Sequence, residues 1–137
     1  AGLNDAWFSP ATAGQGFFIV VLPETKIVFL AWFTYDVERP PEDATAILGE
    51  PGHRWLTAQG PYSGDTATLD LYVSSGGVFD SALPAVGAPV KVGTMTISWS
   101  DCEAGLVSYE ITSPVRTGEI PIERIVPDNV ALCQALQ

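Results

Sequence analysis

The sequence predicts an all-β protein: an antiparallel up-and-down barrel of seven to eight strands with a short C-terminal helix, and a two-sheet sandwich as runner-up. Three observations carry this. Runs rich in β-branched and aromatic residues recur along the 137 residues, separated by Gly, Pro, Asp and Ser turn signals. Helical periodicity is nearly absent before residue 127. The later runs alternate apolar and polar residues, as strands with one face in water do.

Taken in order, Trp7 and Phe8 open the first run, and a Gly- and Pro-containing loop occupies 9–16. Strands follow at 17–22 and 26–36, joined by a Pro-Glu-Thr turn at 23–25. The adjacent prolines Pro40 and Pro41 remove ladder donors, so 37–43 is a loop. Short strand candidates lie at 44–48 and 54–59, and 61–65 carries turn chemistry. Residues 66–74 turn Ala67, Leu69, Leu71 and Val73 inward. Strand 89–99 does the same with Met95, Ile97 and Trp99, and strand 106–112 with Val107, Tyr109 and Ile111. Strand 118–125 buries Ile120 and Ile122, and Arg124 continues that face as a partly buried cation paired with an acid. Residues 127–136 read as a helix capped at Asp128 or Asn129, packing Val130, Cys133 and Leu136 on the barrel.

Strands 17–22 and 26–36 break the alternation, because both of their faces are apolar. A β-strand that is greasy on both sides needs a second cover. Either alternating set of 26–36 could face the core. An outer apolar face assigned to Phe18, Val20, Val28, Leu30 and Trp32 would serve as an interface.

Length indicates one domain, 1–137, large enough for a complete hydrophobic core. Sixteen acidic against six basic residues give a net charge of −10, which disfavours nucleic acid and anionic membrane surfaces as partners. No apolar run reaches the roughly 18 residues of a membrane helix. Cys102 and Cys133 have neither a neighbouring His nor a C-x-x-C spacing, and are read as a disulfide formed in an oxidising compartment. Residues 1–4 suit an N-terminus left by signal-peptide cleavage, so the protein is expected to be secreted, extracellular or at the cell surface.

Several segments carry a resemblance: W-F-S-P-A-T-A-G-Q-G-F-F at 7–18, A-W-F-T-Y-D at 31–36, W-L-T-A-Q-G at 55–60, G-G-V-F-D at 76–80 and V-G-T-M-T-I at 92–97. With Asp101-Cys102 and G-E-I-P-I at 118–122, the chain resembles a family of uncharacterised secreted β-rich domains of Gram-negative bacteria. The resemblance spans nearly the whole chain. It implies export and a β-rich domain, sometimes attached to larger secreted proteins, and it implies no activity. A looser likeness is to avidin-type barrels. It implies a barrel shape but no biotin binding, because Ser9 stands where that family has Asn and its biotin-ring residues have no match.

No catalytic constellation stands out. His53 is the sole histidine, in a loop-like segment beside Arg54, and nucleophile-elbow, zincin and P-loop motifs are absent. Asp36, Glu38, Glu42 and Asp43 crowd one loop and could act as oxygen ligands for Ca²⁺, without EF-hand spacing. No other cofactor is expected.

The expectation is a non-catalytic extracellular protein that self-associates as a structural subunit, oligomer or filament. One alternative is a carbohydrate- or small-ligand-binding module using the surface aromatics Trp55, Tyr62 and Tyr72. Another is an accessory domain of a hydrolase.

Overall fold

In the computed structural model, which describes residues 2–45 and 52–137, eight strands follow one another around a closed barrel. They are β1 (Asp5–Phe8), β2 (Gly16–Leu22), β3 (Ile27–Tyr35), β4 (His53–Ser63), β5 (Thr66–Val73), β6 (Val90–Trp99), β7 (Ala104–Thr112) and β8 (Val115–Arg124). A short α-helix, α1 (Val130–Ala135), follows them, and a 3-10 turn at Pro10–Thr12 links β1 to β2. Each strand pairs antiparallel with the next, and β8 returns to β1 through Trp7↔Arg124 and Phe8↔Glu123. Closure leaves no open sheet edge, which distinguishes this barrel from the sandwich alternative.

The alternation read from the later strands holds. Ala67, Leu69, Leu71, Met95, Ile97, Trp99, Val107 and Ile122 are buried together with Trp7, Phe17 and Ile19. The expected turn at 61–65 is shorter than the sequence suggests. β4 continues to Ser63, and the turn is made at Gly64 and Asp65, where Gly64 takes φ +57°. Pro61 is tolerated inside β4 because pairing to β5 lapses between Gln59↔Asp70 and Tyr62↔Ala67, so the missing N–H has no ladder bond to make there. The 54–59 candidate is part of β4, while the 44–48 candidate falls mainly outside the described residues.

The two ends of the barrel differ. One end is plugged. Cys102, in the β6–β7 turn, is bonded to Cys133 of α1, as the sequence predicted. Cys133 is the only buried residue of the helix; Val130 is half-buried and Leu136 is exposed, so of the expected three-residue packing face Leu136 drops out. Beneath it Arg124 donates to the carbonyls of Cys102 and Gly2 and to the carboxylate of Asp5, with its guanidinium 4.7 Å from the centre of the Trp7 ring. The buried, acid-paired cation expected at 124 is therefore present. At the opposite end the strands part around an open mouth, and a long exposed connection, residues 74–89, rises from its rim.

Candidate functional site

Register decides what β2 and β3 show to water. The hairpin pairs Leu22↔Ile27, Val20↔Phe29, Phe18↔Ala31 and Gly16↔Phe33. Directly opposed residues share a face of the sheet. Phe18, Val20, Leu22, Ile27, Phe29 and Phe33 accordingly form one outward surface, and Phe33↔Trp55 extends it onto β4. Phe18 is 55% exposed and Trp55 51%, although both are large apolar side chains. The rings of Phe18 and Phe33 meet edge to face with centroids 5.4 Å apart. Neither β2 nor β3 contains a charged residue.

The interface set drawn from the sequence is thereby corrected. Phe18 and Val20 do face outward, but Val28 and Leu30 are fully buried and Trp32 nearly so. They oppose Val21, Ile19 and Phe17, which are also buried. Joining Phe18 and Val20 to Val28, Leu30 and Trp32 would need a one-residue slip, which turns every side chain of the strand over. A signal for the true set lay in the four-residue connection at 23–26, which fixes Leu22 opposite Ile27.

The other half of the barrel wall is polar. Thr94, Thr96, Ser108, Glu110 and Thr117 line its outside, and Lys91 pairs with Asp70 at 2.7 Å. The hydrogen bond to Asp70 raises the Lys91 pKa above its ordinary value. Leu106 and Val115 are exposed on β7 and β8, but they are set among these polar groups, whereas the apolar residues of β2, β3 and the start of β4 adjoin one another.

The aromatic ligand candidates are not brought together. Trp55 belongs to the outer face beside Phe33, and Tyr72 lies outside on β5 opposite Thr57. Tyr62 points the other way and packs against the core. Tyr62 cannot share a stacking platform with Trp55 and Tyr72, because it sits at an inward position of β4 and they at outward ones.

The acidic loop is partly neutralised within the chain. The Arg54 Nε lies 2.6 Å from Asp36, and Arg39 lies 3.4 Å from Glu42 in an exposed pair. Glu38 and Asp43 are exposed. Among the described residues, no three His, Cys, Asp or Glu side chains are grouped to hold a metal ion.

Sequence reasoning missed two features. The mouth opens into a cavity of about 740 Å³ with Trp32 at its base. The 74–89 connection exposes Val78, Phe79, Leu83 and Val86. Composition alone could have flagged that loop, whereas the cavity exists only once eight strands close.

Among the described residues, no helix is long and apolar enough to cross a membrane. The disulfide points to an oxidising environment of the extracellular type. No protein-family model matches the chain, and neither a curated protein nor a solved structure does.

Proposed function

We propose that this chain is a non-catalytic, exported subunit that associates with a second copy of itself through the outer face of β2, β3 and the start of β4. One observation carries the reading: an uncharged, contiguous apolar sheet face lies on the outside of an otherwise acidic barrel. From the exposure of its large side chains, this face presents on the order of 700 Å² to water. The largest patch on a typical monomer is ~300–600 Å², and each partner in a standard interface contributes ~800 Å².

A second copy is the occupant that this chemistry favours. The face has no charge with which to select an oppositely charged partner. A two-fold contact needs only that a patch complement itself, and rows of Phe, Val and Leu on a sheet do so. The acidic groups Glu110, Glu119 and Glu123 sit on β7 and β8, away from the seam.

Light scattering over a hundredfold range of concentration tests this. The expected result is a mass of at least twice the chain, reduced to one chain by Phe18→Ser with Phe33→Ser while the circular dichroism spectrum is kept. A wild-type monomer at every concentration overturns the proposal, as does a multimer that the double substitution leaves intact.

A further inference from the structure

The mouth of the barrel is a second site, distinct from the outer face and independent of whether that face associates. We infer that it binds a neutral, flat aromatic or conjugated molecule carrying a hydrogen-bond acceptor such as a ketone oxygen.

The base of the cavity sets the shape. Phe17 and Trp32 stack with centroids 5.4 Å apart and planes inclined by 27°, and the Tyr109 ring lies 5.3 Å from that of Trp32, tilted by 54°. A barrel wall that needed only filling would end in branched aliphatics. Here three rings line the bottom of an open space of about 740 Å³, within the ~300–1,000 Å³ range of small-molecule sites. Aromatic faces favour a planar guest, by offset stacking or edge contact.

The rim sets the polarity. Thr34 donates to the Gln15 side-chain oxygen at 2.6 Å, which orients the amide and leaves its N–H groups available to an acceptor. Ser9, only 6% exposed, places a hydroxyl on the same lining. Four charged groups line the mouth, and of these Glu119 adds a carboxylate that disfavours an anionic guest while the others have partners. Asp36 holds Arg54, and the Arg116 guanidinium turns back onto the Val115 carbonyl at 2.9 Å. An anionic guest would also meet a protein of net charge −10. A neutral guest with an acceptor oxygen meets none of these penalties.

The test uses two naphthalene dyes, neutral prodan, which bears a ketone, and anionic anilinonaphthalene sulfonate. Prodan is expected to bind saturably at one dye per chain with blue-shifted emission, at least tenfold more tightly than the sulfonate. Phe18→Ser with Phe33→Ser should leave prodan binding unchanged, and Ile111→Arg, which places a long cation in the mouth, should weaken it at least tenfold. Amide and indole shifts on the wild-type chain give a readout that does not depend on variant folding. Shifts centred on Phe17, Trp32, Tyr109 and Ile111 support the site. Absence of saturable binding overturns it, as do loss of binding in the outer-face variant or shifts centred on Val20 and Phe29. Equal affinity for the two dyes overturns the assignment of a neutral ligand.

Discussion

The carboxylate of Asp5 and the guanidinium of Arg124 meet 2.5 Å apart across the narrow end of the barrel, although 119 positions separate them in sequence. The Arg124 side chain is 2% exposed, and its Nε and Nη2 donate to the Cys102 and Gly2 carbonyls. One cation therefore joins β1, β8, the β6–β7 turn and the N-terminal segment. It also closes the sheet where β1, the shortest strand, pairs with β8 through only two residues.

Asp5→Ala should cost about 3–5 kcal/mol, because it strands a buried cation. Replacing both partners, Asp5→Leu with Arg124→Met, should recover most of that loss. Urea denaturation of the three variants checks this. A double variant no more stable than Asp5→Ala would show that the carbonyl bonds of Arg124, rather than the ion pair, hold the end closed.

Removing the disulfide by Cys102→Ser with Cys133→Ser should lower stability by about 3–4 kcal/mol, the loop-closure value for a separation of 31 residues. The β-sheet signature should persist at low denaturant, since every strand pair of the barrel forms without α1. Reduced wild-type protein should unfold at the same urea concentration as the double variant. A marked difference between the two would assign part of the effect to the serines.

Self-association through an uncharged face, between copies of charge −10, should tighten as salt is raised. Shortening the Debye length from about 10 Å at 0.1 M to about 3 Å at 1 M screens the repulsion between copies. It leaves the apolar contact in place. Sedimentation equilibrium at two salt concentrations reads this directly. Weaker association at high salt would mean that ion pairs, not the Phe18–Phe33 face, join the copies.

Two glycines in and beside β4 should respond differently to alanine. A Cβ on Gly60 would lie 2.1 Å from the Thr68 carbonyl oxygen, a backbone clash that side-chain movement cannot relieve. Gly60→Ala should therefore cost well over 2 kcal/mol or prevent folding. At Gly64 there is open space, and only the positive φ is strained, so Gly64→Ala should cost about 1–2 kcal/mol. Thermal melts of both variants separate close approach from backbone strain.

Much of the barrel was legible in the chain. From β5 to β8 the alternation is one-sided, and one-sided strands report their own orientation: Leu69, Met95, Val107 and Ile122 are buried as read. The disulfide followed from two cysteines with no other chemistry nearby. Arg124 was legible because it continued an otherwise apolar face. Val28, Leu30 and Trp32 were misplaced because β3 is apolar on both faces, so hydrophobicity carries no information about which one turns inward.

The sequence by itself determined a meander of seven to eight strands and the polarity of half the wall, since these rest on local period and turn chemistry. Only the tertiary structure decided which face of β2 and β3 is covered. That choice depends on Phe17, Ile19 and Val21 meeting the inward residues of six other strands around a closed ring. Closure likewise made the mouth. The β2–β3 hairpin sets Phe17 opposite Trp32, but Tyr109 lies far along the chain, and no local pattern shows that its ring will line the same cavity.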